Sequence, residues 1–437
     1  MKNVDSLIHA KWIIPVEPTN TVLEDHSLAI KQDKIEAILP TNEAKTKFSS
    51  VNEVNLQQHA LIPGLINAHT HAAMNLFRGL ANDLPLMDWL NNYIWPAEQK
   101  WVDPEFVHDG TELAVAEMIR GGTTCFNDMY FFPNHTAEVC AHAGMRAIVG
   151  LIFIDFPTAW AKDADEYFLK GEEVHDAYRH NPLVNTAFAP HAPYTVSDEP
   201  LKKISVLAEE LDIPIHMHIH ETAIEVEQSI EQYGKRPLQR LQELGLLSSR
   251  MVSVHMTQLE QNEIDELVKT GVSVAHCPES NLKLASGFCP AAHLHEAGVN
   301  VCICTDGTAS NNDLDMIGEM RTAAILAKAV ANDSTVLDAH TTLKMGTLNA
   351  AKALGLEELI GSLKVGKQAD IVAINLEQLE TLPLYEPVEQ IIYAGNREQV
   401  TDVWIAGKQV LSSRELLVFD YARLVKKAKN WQKKIKE

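Results

Sequence analysis

Cysteine is scarce: Cys125, Cys140, Cys277, Cys289, Cys302 and Cys304 are the only six in 437 residues, and no two form a C-x-x-C pair. That excludes a disulfide framework and predicts a reducing compartment. Long apolar runs are missing too. The amino terminus, "MKNVDSLIHAKWIIPVEP", lacks the apolar core and small-residue cleavage site of a secretory leader, and no later segment is apolar over a membrane span. The expectation is a soluble cytoplasmic protein with no membrane partner. Neither a Walker sequence nor a G-x-G-x-x-G opens a helix, so phosphate-cradling and dinucleotide chemistry lack support. Positive charge is short as well: 37 Lys and Arg against 59 Asp and Glu leave a net charge of −22, which disfavours nucleic acid as a partner. The lysine-rich tail "ARLVKKAKNWQKKIKE" is the local exception, and reads as a solvated helix with Trp431 and Ile435 packed inward.

What is present is ample hydrophobic material, 46% of the residues, enough for one large core and a smaller one. Residues 1–58 read as short alternating strands, as in "SLIHAKWIIPV" and "HSLAIKQDKIEAILP", and residues 361–437 resume that style in "ADIVAINL" and "VTDVWIAGKQVL" before the terminal helix. The two ends are expected to meet in one small β-sandwich domain, since chain termini often lie close together. Between them, residues 59–360 alternate apolar strands with helices: "ALIPGLINAHTH", "TTCFNDMY", "MRAIVGLIFI", "VNTAFAPHAP", "IPIHMHIHE", "MVSVHMTQ", "VSVAHCPE" and "VNVCICTDG". Eight such units predict a parallel (β/α)8 barrel of the TIM type, with a doubly wound open sheet as the alternative.

Polar residues fall at one end of these strands. Strand one ends in His69 and His71, strand four carries His191, and strand five ends "HMHIHE" with His216, His218, His220 and Glu221. Strand six carries His255 and strand eight ends with Asp306. The carboxyl ends of barrel strands are where such folds place their chemistry. A single strand-end histidine is usually a hydrogen-bonded core residue, but this many imidazoles and carboxylates at one rim would be costly to bury without a metal. His69, His71, His218 and Asp306 can supply three nitrogens and one oxygen to an open zinc site; iron and manganese accept the same donors. Strand four has no lysine to bridge a second ion, so one metal ion per chain is expected.

The early His-x-His in "PGLINAHTH", the histidines of strands five and six and the aspartate of strand eight resemble the amidohydrolase superfamily, across nearly the whole chain. "HMHIHET", "VHMTQL", "AHCPESNLKLASG" and "CTDGTASNNDLDM" are similar to the 5-methylthioadenosine/S-adenosylhomocysteine deaminases within it. The resemblance implies hydrolytic deamination at carbon 6 of an adenine nucleoside, with zinc as cofactor. Metal coordination lowers the pKa of bound water to about 7. The family pattern H-x-x-E selects His218 as ligand, where strand parity alone leaves His216 and His220 open. It leaves His216 deeper in the barrel and His220 as support for a ligand.

By the same resemblance Glu221 donates a proton to the ring nitrogen, Asp306 binds metal and moves a proton, and His255 stabilises the tetrahedral centre. Glu98 matches a carboxylate that accepts from ribose hydroxyls, and His191 a substrate-contacting histidine. The plain readings, a helix-capping carboxylate for Glu221 and a core histidine for His255, are outweighed by the company these residues keep at the rim, whereas for Glu98 the plain reading, an exposed helical glutamate, would win without the resemblance. The segment after strand one offers Met74, Leu76, Phe77, Leu86 and Trp95 as an apolar wall for adenine and a thioether, although ordinary packing explains any one of them equally well. Some relatives place an arginine at the end of strand three, suited to the carboxylate of S-adenosylhomocysteine; this chain offers Gly150 there, which favours 5-methylthioadenosine or adenosine. Rival readings are deaminases of guanine, other purines or pterins, triazine hydrolases, and a barrel kept only for assembly. A homo-oligomer is an open alternative to a monomer.

Overall fold

Eight strands run parallel in sequence order in a computed structural model that describes residues 1–437: Leu65–Thr70, Thr123–Tyr130, Arg146–Phe153, Val184–Pro190, Ile215–Ile219, Met251–His255, Ser273–His276 and Val301–Ile303. Helices such as Pro104–Arg120 and Asp198–Leu211 cover them outside. Every residue of strands one, two and three is buried, because one face meets the helices and the other the barrel interior. The order never reverses, so the sheet has no switch point and curls into a barrel rather than opening.

No backbone ladder joins strand eight to strand one, and side chains close that seam. The Thr305 N–H donates to Asn67 Oδ1 at 3.0 Å, Asn67 Nδ2 donates to Thr305 Oγ1 at 2.7 Å, and the Asp306 N–H donates to the His69 carbonyl at 3.1 Å.

Both chain ends contribute to a second, mixed sheet of eight strands, as expected. At its centre Phe48–Pro63 pairs in parallel with Lys2–Ile13 and antiparallel with Ile371–Asn375, which ties the first segment to the last. The sheet is fixed to the amino-terminal ends of the barrel strands, away from the rim that bears the histidines. Arg146, the first residue of strand three, makes a two-pronged ion pair with Asp370 at 3.0 and 3.1 Å, both groups almost fully buried. The Asp370 carbonyl also accepts from the Gly64 N–H at 2.9 Å.

The terminal helix, Tyr421–Lys436, lies on helix Pro104–Arg120. Trp431 stacks edge-on to Phe106 at 5.3 Å and donates to Asp109 at 3.0 Å, while Lys427 pairs with Asp109 and Glu112. Ile435 packs on the same cluster, as the sequence predicts. No helix is long and apolar enough to cross a membrane.

Removing one partner of a buried ion pair leaves the other uncompensated. Arg146→Met should therefore cost about 3–5 kcal/mol of stability, read from urea unfolding of the full chain.

Candidate metal centre and substrate cavity

The seam that closes the barrel also brings its two ends of chemistry together. His69 Nε2 lies 3.1 Å from Asp306 Oδ1 and 3.2 Å from His218 Nε2, and His71 Nε2 lies 3.3 Å from the same carboxylate oxygen. Donor atoms of His69, His71 and His218 fall within 4.8 Å of one another. Gly307 makes room for this approach: a Cβ there would sit 3.0 Å from the His71 Cβ.

Tautomers follow from the partners. His71 Nδ1–H donates to the Met129 carbonyl at 2.6 Å and His218 Nδ1–H to the His191 carbonyl at 2.7 Å. A carbonyl only accepts, so each ring carries its proton on Nδ1 when neutral and turns an Nε2 lone pair inward. Lone pairs and a carboxylate oxygen crowded into one buried point repel unless a cation sits among them. This donor set therefore fits a divalent metal, with nitrogen and oxygen ligands of the kind zinc takes.

Asp306 is held from behind. Its Oδ2 accepts from Ser280 and Ser310, each at 2.7 Å, and its Oδ1 from the Gly307 N–H at 2.7 Å. Burial opposes its charge, but the hydrogen bonds and charges of His69 and His71 keep it well below the usual carboxylate range. Burial first, and then the charges of neighbouring imidazoles, drive the His218 pKa far down and that of His191 to about 3, which keeps both rings neutral.

His255 behaves differently. Burial pulls it down, yet Glu221 and the neighbouring Cys277 and Asp306 outweigh that and lift it to about 10. Its Nδ1–H donates to Asn281 Oδ1 at 2.8 Å, which leaves Nε2 facing Glu221 Oε2 at 3.9 Å. Burial raises the Glu221 carboxyl, which lets it carry a proton. The turn that aims it is clamped by Glu225, whose carboxylate accepts from the backbone N–H groups of His220 and Glu221 at 2.9 and 2.7 Å.

A cavity of about 260 Å³ opens above these groups and is lined by His71, His191, His218, Glu221, His255 and Asp306 on one side of its chemistry. Trp95, Met74 and Leu86 line it as expected, with Trp89, Phe131, Ile152 and Ile154 besides. Leu76 and Phe77 do not. They turn away from the cavity into the packing beneath it, Phe77 against Phe106 at 4.7 Å, because the chain after His71 coils into a short 3-10 helix. Glu98 is the one carboxylate that the segment after strand one contributes to the cavity lining. Its Oε1 accepts from the Tyr130 hydroxyl at 2.8 Å, and burial raises its pKa to about 7 against the lowering effect of that bond.

Two further expectations need correction. His220 does not support a ligand: at a φ of 55° it leaves the strand, and its ring meets the Gln258 carbonyl and the Leu238 N–H. Gly150 is not at the end of strand three but in its middle, where a Cβ would lie 2.4 Å from the Asp128 carbonyl oxygen. Ile152 of that strand and Ile154 just past its end line the cavity instead. Ser280, Asn281, Ser310, Tyr130 and Glu225 escape sequence reasoning. Tyr130 alone carried a usable signal, as the last residue of an apolar strand ending on the catalytic rim.

The amidohydrolase family model matches residues 60–410. A 5-methylthioadenosine/S-adenosylhomocysteine deaminase of Teredinibacter turnerae is 48% identical over 432 residues, covering 99% of this chain and 98% of that protein. Its counterpart from Saccharophagus degradans is 49% identical over 431 residues, covering 99% and 97%. Among solved structures, an adenosine deaminase from Xanthomonas campestris with bound zinc superposes with a TM-score of 0.99 at 56% identity, over 100% of this chain and 99% of that one.

The site predicts one tightly held divalent ion per chain, counted by atomic absorption after zinc loading and gel filtration. His218→Ala should lose most of that metal while keeping the circular dichroism of the parent.

Proposed function

The chain belongs to the amidohydrolase family, and from that premise we propose that it is a zinc-dependent deaminase of 5-methylthioadenosine and related adenosines, releasing ammonia from carbon 6 and leaving the inosine-type product. The observation that carries the nucleoside reading is Glu98. Even half-buried, a carboxylate lining a largely apolar cavity is costly, and here Oε1 accepts from Tyr130 while Oε2 has no partner within the protein. A pair of ribose hydroxyls is the partner that such an acceptor suits. A guanine, pterin or triazine has no sugar to offer it.

His69, His71, His218 and Asp306 would hold the zinc, which would supply a water nucleophile activated at neutral pH. The remaining work falls to the protein. Glu221, made protonatable by burial, takes the first proton of the attacking water and hands it to ring N1 so that carbon 6 can accept electron density. His255, charged beside Glu221, stabilises the negative charge that develops as that carbon becomes tetrahedral. Asp306 takes up the second proton of the attacking water and delivers it to the departing amine, its orientation kept by Ser280 and Ser310. Trp95 and the other apolar side chains of the cavity pack the adenine and exclude water, and His191 contacts the sugar or its 5′ substituent.

The 5′ end of the substrate meets no cation, for no lysine or arginine lines the cavity. The amino-acid tail of S-adenosylhomocysteine would enter with its carboxylate unpaired. Its kcat/KM should fall below that of 5-methylthioadenosine by about 10- to 100-fold, the cost of one unsatisfied polar group. An ultraviolet assay with ammonia detection on both nucleosides and guanine checks this. Turnover of guanine alone would overturn the nucleoside reading, and equal turnover of both nucleosides would overturn the preference.

Glu221→Gln removes the proton donor without touching a metal ligand. It should keep its zinc and lose about 10²- to 10⁴-fold in kcat, as expected for a general acid–base group.

A further inference from the structure

Of the three imidazoles that converge on the metal position, two are oriented by backbone and one by another imidazole. His71 and His218 donate to carbonyl oxygens, but His69 Nδ1 faces His216 Nε2 at 2.8 Å. A carbonyl can only accept, whereas an imidazole nitrogen accepts or donates according to its tautomer. His69 is thus the one histidine ligand whose proton arrangement is set by a side chain.

His216 sits on strand five two residues before His218, with its ring wholly buried and edge-on to that of His69, 4.8 Å between centroids. Its one hydrogen-bond partner is His69, and no carboxylate contacts it. Its other nitrogen, Nδ1, is buried without any hydrogen-bond partner.

Two arrangements of the two ring protons are available to this pair. In the first, His216 carries its proton on Nδ1 and accepts the Nδ1–H of His69, whose Nε2 lone pair then faces the metal. In the second, His216 donates from Nε2 to His69 Nδ1, and His69 holds its own proton on Nε2, aimed at Asp306 Oδ1 3.1 Å away. Both carry the same number of protons, so exchange between them releases none. Only the first allows His69 to ligate, and it leaves the Nδ1–H of His216 unpaired in the barrel interior. His216 Nδ1 lacks a partner either way, but only the second arrangement lets His69 Nε2–H donate to Asp306, so the second is favoured until a metal reverses the balance.

We propose that His216 is a positioning residue of the metal centre, accepting the Nδ1–H of His69 and thereby setting the tautomer in which His69 presents Nε2 to the metal. This rests on the metal-dependent reading above and goes beyond it, since His216 touches neither the metal position nor the substrate cavity.

The test uses the full-length, zinc-loaded protein and two near-isosteric variants. In His216→Gln the amide oxygen can still accept; in His216→Met nothing of comparable strength can. Zinc affinity by chelator competition, the visible absorption of the cobalt-substituted enzymes, and kcat and KM for 5-methylthioadenosine are measured on each. His216→Gln should stay within about threefold of the parent in zinc affinity, whereas His216→Met should lose about 10- to 100-fold and shift the cobalt absorption, with KM little changed. Equal losses in both variants would reduce His216 to packing, and unchanged affinity in both would remove its role; either result overturns the proposal. Should the Met variant not fold by circular dichroism, His216→Leu against His216→Asn reads the same contrast. A parent that binds no zinc would instead sink the metal-dependent reading itself.

Discussion

The fold and the site share one constraint, the seam between the first and last barrel strands. A parallel barrel ordinarily closes by a backbone ladder. Here strand eight is only three residues long, and closure falls to the chain just beyond it, where Thr305 locks to Asn67 and the Asp306 N–H reaches the His69 carbonyl. The same few residues carry the carboxylate and the first imidazole of the metal site. Assembling the barrel and assembling the ligand set are therefore one event, and the distance between His69 and Asp306 is fixed by backbone rather than by flexible side chains.

Closure at that point concentrates like-natured groups in a dry place. His69, His71, His218 and His255 surround one carboxylate, and burial works against charge on every one of them. The structure manages this by giving each group one fixed partner outside the cluster: carbonyls for His71 and His218, an imidazole for His69, an amide for His255 and two hydroxyls for Asp306. What remains unpaired points at a common centre. The demand for a cation is then a property of the whole shell, and preorganisation of this kind is how an active site avoids reorganising during reaction.

Much of this was legible in the sequence because barrel strands obey strict alternation and finish at one rim. The eight apolar segments contain the eight strands, and His69, His71, His218 and Asp306 meet at their common rim. Strand one gets there through a shift of register between Asn67 and Thr70, and Asp306 lies three residues past strand eight at a φ of 66°. Alternation fails where the backbone leaves the strand. His255 is in register with Ile219, whose side chain faces the outer helices, so a regular strand would point His255 out of the barrel. A φ of 76° turns it back, and the same kind of departure, at 55°, carries His220 the other way. Nothing in "SVHMTQ" or "HMHIHE" announces which histidine will be turned inward, since any residue in that conformation is strained and only its surroundings hold it there.

Partners outside the strands are hidden for a further reason. Ser280, Asn281 and Ser310 act through loops whose path depends on where the barrel closes, so their spacing in sequence bears no relation to the distance they span. The cavity wall is similar: Met74 and Phe77 lie in one short turn of 3-10 helix, yet Met74 lines the cavity and Phe77 packs beneath it. That helix starts directly after His71, and the His71 Nδ1–H is tied to the Met129 carbonyl on strand two. Orientation of the ligand therefore propagates into the substrate wall, because the chain has no slack between them. The geometry of the metal shell at His71 is thus coupled, through that short segment, to the shape of the cavity beside it.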